Sequence, residues 1–477
     1  MRKGSVTIFT LLSMMLVIST LLALIEAGRF QKMNKLAELQ TQVALESVFA
    51  EYKTYLWEDY RILACKLDEV ENDLVVYGDA TIHEKTTGIN FFQFGVDDVS
   101  LKGYTRLTDG DGKAFIGAVS DYMKQNLLYE SAKELYEQYK GIKDIQENSG
   151  FDIDAIEDAL DELEKEENSE ESAGIKKAID KRMKTKGNPL EGIKDIQKKG
   201  ILSLVLQDTS KLSKKSIDIS NSVSHRQLAE SYHPIIKESD WYDTVLLQQY
   251  LLTYMSHFLE GKEHSMQYEV EYIVGGKNTE IENLKAVVNK LLLIREAANF
   301  LYLSTSPQKV EQARVLAIAI AGASLNAILI EAVKTALLVA WAYAESILEI
   351  RTLLSGKKIA LIKSDTTWNL DLDYITKIGE GYKMAKECKN GLDYEAYLGL
   401  LLLMESETKL AKRAMDMQEI TLQEKYENAS LHLDDWIIDV KTSVTYGYRP
   451  VFFSMQKGIP SWNYQMIAEE QYGYIRR

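Results

Sequence analysis

The feature that most constrains this chain is its opening, MRKGSVTIFTLLSMMLVISTLLALIEAGRF. No charged side chain occurs between Lys3 and Glu26. As a helix, about twenty such residues rise roughly 30 Å, the thickness of the hydrocarbon core of a bilayer. Val6, Ile8, Phe9, Leu11, Leu16, Ile18, Leu21, Leu22 and Ile25 form the expected transmembrane core. The interspersed Ser and Thr hydroxyls can bond carbonyls one turn back. A cleaved secretory signal has a shorter apolar stretch followed by small residues at the cut. Here the stretch is longer, and Ile25-Glu26-Ala27 has the wrong first residue for such a site. A retained anchor is therefore expected over residues 1–28. Arg2 and Lys3 precede it, and Arg29, Lys32 and Lys35 follow it. That near balance leaves its orientation open under the positive-inside rule.

No proline or glycine occurs between Gly28 and Gly78, so nothing local stops the helix at the membrane surface. Leu45, Val48, Phe49, Tyr52, Tyr55 and Leu56 recur at the spacing of one helical face. A stalk helix over 29–66 is expected, its stripe packed on the chain's own domain, with a partner helix as the alternative.

Beyond the stalk, residues 67–146 read as an α+β part. Leu74–Tyr77, Ala80–His83 and Val99–Thr105 are short strands, LTDGDGKAF is a tight turn, and a helical pattern follows from Ala114. Residues 147–199 hold an acidic run, FDIDAIEDALDELEKEENSEESAG, then a basic one, IKKAIDKRMKTKGNPLEGIKDIQKKG. They read as a charged helical or mobile insertion. Residues 200–477 read as mainly helical with a C-terminal strand at Val440–Tyr448. Tyr268, Val270, Tyr272 and Val274 alternate with Glu269 and Glu271, the pattern of a half-buried strand. Helices are expected at Leu284–Leu303 and Tyr394–Met417. The runs VLAIAIAGASLNAILI and TALLVAWAYA fall short of a full bilayer span and read as buried core helices, with a membrane hairpin as the alternative. The expected class is α+β, predominantly α-helical: one transmembrane helix, a stalk, then a large extracytoplasmic domain with a few short strands.

Little in the chain suggests chemistry. The net charge of −15 over 477 residues would repel phosphates, which argues against nucleic acid as a partner. Cys65 and Cys388 have no CxxC spacing and read as buried thiols, although one bridge between them stays open. His257, Glu260 and His264 share a helical spacing, but Gly261 interrupts it and neither HExxH nor HxxEH order occurs. The SxxK matches at Ser306, Ser355 and Ser454 lack the companion SDN and KTG motifs. Asp109-Gly110-Asp111-Gly112 lacks the glycine and ligand spacing of a calcium loop. No catalytic residue, cofactor or metal is expected, and a non-enzymatic role follows.

Arg2-Lys3-Gly4-Ser5-Val6-Thr7-Ile8 resembles the start of pilin-like and TadE/TadG-like proteins: basic residues, a glycine, then an uninterrupted apolar helix. The resemblance makes Gly4 and Ser5 a candidate processing site. Phe9 stands where that pattern usually has glutamate, which implies a lasting anchor rather than a major filament subunit. LWEDYRILA, LTDGDGKAF, ILSLVLQD, LLLIREAANFLYL and LLVAWAYAESILEIRTLL resemble an uncharacterised bacterial family found with tight-adherence (Tad, Flp-type) pilus loci. That resemblance implies an extracytoplasmic domain serving pilus or surface assembly, as a minor pseudopilin or an accessory. Its partners would be the lipid bilayer and other pilus or surface-assembly proteins. The alternatives are a membrane-tethered cell-surface hydrolase and a membrane hairpin or channel component.

Overall fold

The computed structural model describes residues 2–80, 92, 94–125, 129–167, 189–261, 264–321, 326–379, 381–451 and 464–474. They form two compact units, each built from several stretches of chain. With 61% helix and few strands, the class is α+β and mainly helical.

The first unit comprises Met1–Asn126, His225–Asp243 and Leu422–Arg477. Its helices are α1 (Arg2–Ala50), α2 (Thr54–Tyr60), α3 (Leu67–Ala80) and α4 (Lys113–Met123). Its strands are β1 (Cys65–Lys66), β2 (Phe94–Arg106), β3 (Trp436–Tyr448) and β4 (Tyr464–Gly473). All pairing is antiparallel and centres on β3, which pairs with β2, β4 and the short β1. The expected strands Val99–Thr105 and Val440–Tyr448 lie inside β2 and β3. LTDGDGKAF is the turn before α4. Gly110, Asp111 and Gly112 take φ of 63°, 58° and 92°, a left-handed run in which glycine at the first and third positions avoids Cβ strain. Asp109 Oδ2 accepts the Arg106 N–H at 2.7 Å, so that carboxylate serves the turn.

Two expectations in this unit are corrected. The stalk helix ends at Ala50 rather than near residue 66, and Leu56 lies on the separate helix α2. The cause is tertiary. Carbonyls of the last turn of α1 accept from groups distant in sequence: Phe49 from the Tyr474 hydroxyl, and Val48 from the Cys65 thiol at 3.6 Å. Leu74–Tyr77 is helical rather than extended, within α3. Leu67, Val70, Leu74 and Tyr77 recur at helical spacing, and all four pack in one core cluster. Of the expected strand Ala80–His83, Ala80 ends α3 and the rest lies outside the described residues.

The second unit comprises Leu127–Ser224 and Thr244–Thr421. Its helices are α5 (Tyr129–Asn148), α6 (Ala155–Glu167), α7 (Pro189–Gln197), α8 (Ile201–Val205), α9 (Trp241–Tyr254, which begins in the first unit), α10 (Glu269–Gly275), α11 (Glu280–Thr305), α12 (Pro307–Ala321), α13 (Ala327–Leu354), α14 (Tyr394–Leu403) and α15 (Glu407–Lys425, which ends in the first unit). Within the charged insertion α6 and α7 are helical, and the described residues 149–154 and 198–199 are turns, bends and irregular chain; its middle, 168–188, lies outside the described residues. The helix expected over Tyr394–Met417 is two helices, broken at 404–406.

The strand expected over Tyr268–Val274 is instead helix α10. The alternation misled because Glu269 and Glu271 do not face water; both are fully buried. Glu269 Oε2 accepts the Ser256 N–H at 2.8 Å, and Glu271 Oε1 accepts the Phe258 N–H at 2.9 Å. A buried carboxylate that caps a neighbouring loop mimics, in sequence, a solvent-facing one. At the centre of the unit α13 packs against α6, α7, α8, α11 and α12. From Leu337 to Leu354 every residue of α13 is buried.

Candidate functional site

The segment that most limits function is α1, which meets two environments in turn. Over its first half the apolar side chains are exposed. Val6, Ile8, Phe9, Leu11, Leu16, Ile18, Leu21 and Ile25 are all exposed, and Leu22 is half-buried. A helix exposed and hydrophobic all round is stable only in lipid or against partner helices. Gly4 and Ser5 lie within the helical backbone of α1.

From Glu26 onward one face becomes buried. Glu26, Arg29, Met33, Ala37, Gln40, Thr41, Ala44, Leu45, Val48 and Phe49 recur at the three- and four-residue spacing of one helical face, the last six as adjacent pairs. Met33 and Ala37 pack with Phe94, Val444, Tyr446, Tyr448, Met466 and Ala468 of the sheet. Ala44, Leu45, Val48 and Phe49 pack with Cys65, Val70, Leu74, Ile437 and Val440. Leu45, Val48 and Phe49 of the expected stripe face their own domain, and the packed face extends further toward the N-terminus than the sequence spacing suggested. Leu56 is buried on α2, while Tyr52 and Tyr55 are half-buried. Tyr55 meets Tyr426 at a tilt and Trp436 edge-on, with centroids at 4.8 and 5.7 Å.

Polar contacts fix the rotation of α1 on the sheet. Thr41 Oγ1 and the Tyr446 hydroxyl are 2.9 Å apart. Gln40 Nε2 donates to the Tyr77 and Gly78 carbonyls, both at 3.1 Å. Where the exposed apolar half of α1 gives way to its packed half, Arg29 donates to Glu26 Oε1 at 2.7 Å and to the Arg449 carbonyl at 3.3 Å, beneath the Tyr448 ring. These charges were not singled out from sequence because they read as ordinary flanking residues. At the far end, burial pushes the Cys65 thiol up to about 11, partly offset by the Tyr474 hydroxyl. The thiol is therefore neutral and unreactive at pH 7. Cys65 and Cys388 are both free, the first buried and the second half-buried.

The second unit carries a buried ion network that the sequence spacing did not reveal. Arg295 on α11 donates to Glu349 on α13 through Nε (2.9 Å) and Nη2 (3.1 Å). Lys363 Nζ lies 2.6 Å from Glu349 Oε1 and 2.7 Å from Glu345 Oε1. Asn299 Nδ2 donates to Glu349 Oε2 at 2.8 Å, and Asn369 Nδ2 to Glu345 Oε1 at 2.8 Å. Burial would raise the Glu349 carboxyl, but Arg295 and Lys363 outweigh it and hold it below the usual carboxylate range. Burial pushes the Glu345 carboxyl up against the opposing pull of Lys363, so the anion at the heart of the network is Glu349, and the network is a strut between α11, α13 and the chain after it.

His257, Glu260 and His264 do not share a helix, because α9 ends at Tyr254. His257 Nε2 faces Glu260 Oε2 at 3.5 Å, and His264 Nδ1 lies 2.6 Å from Glu269 Oε2. A cleft of about 740 Å³ opens beside the first turns of α12, lined by Gln308, Glu311, Gln312, Asp371 and Asp373.

The fold thus defines a class: an α+β protein whose N-terminal helix is a candidate membrane span in its first half and part of a folded domain in its second. The chain belongs to DUF5702, a family of unknown function, whose model matches residues 180–448. The matched stretch holds β3 and the helices from α7 to α15, and it begins after α1. No curated protein and no solved structure matches the chain.

Proposed function

We propose that this is a non-enzymatic, single-pass membrane protein whose folded part lies outside the cytoplasm and supports the assembly of a Tad/Flp-like pilus or related surface structure, as a minor pseudopilin-like or accessory component. The observation that carries this reading is the division of α1. One unbroken helix offers about 30 Å of bare apolar surface and then becomes the packing partner of an antiparallel sheet. Such a helix transmits the position of the membrane rigidly to the domain, which suits a subunit that must be held or moved at a membrane. Phe9 in place of an acid supports a lasting anchor: an apolar ring costs nothing in lipid, whereas an unpaired carboxyl there would be expensive.

The test joins topology to the native amino terminus. Protease added to intact cells should remove the folded part and leave a short membrane fragment. Mass spectrometry should find the anchored, full-length protein in membranes. Full protection of the domain, while known surface proteins are digested, would overturn the sidedness. Abundant protein beginning at Ser5 in sheared filaments would overturn the lasting anchor.

The cleft at Glu311, Asp371 and Asp373 favours one second reading, a membrane-tethered surface hydrolase. On that reading the purified full chain cleaves cell-wall glycan fragments, and Glu311→Gln together with Asp371→Asn abolishes turnover. Absence of turnover by the native chain rejects it.

A further inference from the structure

Beside α13 a lysine amine and an asparagine carboxamide meet on one buried carboxylate oxygen. The Thr367 and Trp368 N–H groups both donate to the Ser364 carbonyl, at 3.1 and 3.0 Å, so the chain folds back and Lys363 and Asn369 flank the turn. Lys363 Nζ lies 2.7 Å from Glu345 Oε1, and Asn369 Nδ2 donates to that same atom at 2.8 Å. Both nitrogens also donate to the Thr367 carbonyl, at 3.0 and 2.8 Å. Two shared acceptors therefore hold the amine beside the carboxamide. Asn369 Oδ1 accepts the Lys386 N–H at 2.8 Å, which fixes the end of the amide that faces Glu345. All of these groups belong to the second unit.

The parts have separable roles in an acyl transfer. The Lys386 N–H sits where negative charge develops on a carboxamide oxygen under attack. Glu345 Oε1 touches both the amine and the carboxamide nitrogen, so one carboxyl can take a proton from the first and give one to the second. Glu345 is fully buried, and its Oε2 has no partner among the described residues. Burial pushes its carboxyl up, against the pull of Lys363, which makes it a stronger base than an ordinary glutamate. The Lys363 side chain is 2% exposed, and its Nζ lies 5.5 Å from the centre of the buried Trp368 ring, which Trp341 meets edge-on. The pairing of Arg295, Glu349 and Lys363 is complete without Asn369 and the Lys386 N–H.

We propose that Lys363 and Asn369 become joined by an intramolecular amide bond, formed by the folded chain itself with Glu345 as the acid–base group. Glu345 takes one proton from the Lys363 ammonium, and the freed amine attacks Asn369 Cγ. The Nζ–Cγ bond forms. Glu345 gives its proton to Nδ2 and takes a second from Nζ as the Cγ–Nδ2 bond breaks. Ammonia leaves, Glu345 ends protonated, and no oxidant or co-reactant is consumed. The product is a covalent tie that reduction cannot open, in a chain whose two cysteines are both free.

The test is peptide mass spectrometry of the full chain, purified in detergent, denatured and digested with trypsin. Trypsin should fail to cut after Lys363, and the peptide 359–377 should be lighter than its sequence by one ammonia. Glu345→Gln keeps the size of the side chain and should restore both the cut and the full mass. Lys363→Arg should likewise keep the ammonia of Asn369. A native peptide of full sequence mass, cut after Lys363, overturns the proposal, and that measurement needs no variant to fold. Loss of ammonia with normal cutting after Lys363 marks a succinimide at Asn369 and also overturns it. A Glu345→Gln chain that closes as fully as the native one overturns the part assigned to Glu345.

Discussion

Glu349→Ala should cost about 3–5 kcal/mol of folding stability, the range for breaking a buried ion pair from one side. Glu349 is 1% exposed and accepts from Arg295, Lys363 and Asn299 at once. Its removal leaves Arg295 with only the Tyr397 hydroxyl and the Leu361 carbonyl, each at 2.9 Å, so a full positive charge stays buried without an anion. Lys363 keeps Glu345. Replacing the pair together, Arg295→Met with Glu349→Leu, should cost much less than the two single changes summed, because no charge is then stranded. Chemical denaturation of the detergent-solubilised chain, followed by tryptophan fluorescence, measures both. A Glu349→Ala cost below about 1 kcal/mol, the level of an exposed pair, would show that this network is not the strut it looks like.

Stability should also fall as pH rises through neutrality, and Glu296→Gln should remove much of that fall. Glu296 on α11 is 3% exposed, and burial alone pushes its carboxyl up to about 8. Burial pushes Glu271 up to about 7, against the opposing bonds from the Tyr394 hydroxyl and the Phe258 N–H. Both are raised above the ordinary value of 4.5. Between that value and the folded-state value the folded chain holds more protons than the unfolded one. The stabilising contribution is therefore complete below about pH 4.5 and is lost as pH rises to about 7 for Glu271 and about 8 for Glu296, at about 1.4 kcal/mol per pH unit for each group. A glutamine at 296 cannot ionise. The variant should match the native chain near about pH 5 and exceed it by about 3–5 kcal/mol near about pH 9. Denaturation midpoints across that range report the difference, and parallel curves for the two proteins would contradict the assignment.

The sequence by itself determined the long apolar N-terminal helix and the helical class. Both rest on local quantities: an uncharged stretch the length of a bilayer before Glu26, and long periodic runs with few prolines. The turn at Gly110–Gly112 and the strands β2 and β3 were legible for the same reason, since left-handed glycines and alternating β-branched residues act on their immediate neighbours. Only the tertiary structure decided where α1 ends, because the donors that meet its last carbonyls come from Cys65 and Tyr474 and no proline or glycine marks the place. It also decided that Tyr268–Val274 is helical, since Glu269 and Glu271 look solvent-facing until the loop N–H groups they accept are folded over them. The ion network was hidden in the same way: Arg295 and Glu349 lie 54 positions apart, and neither is unusual among its neighbours. A polar side chain takes its role from the groups that desolvate and bond it, and those groups arrive only when distant segments pack together.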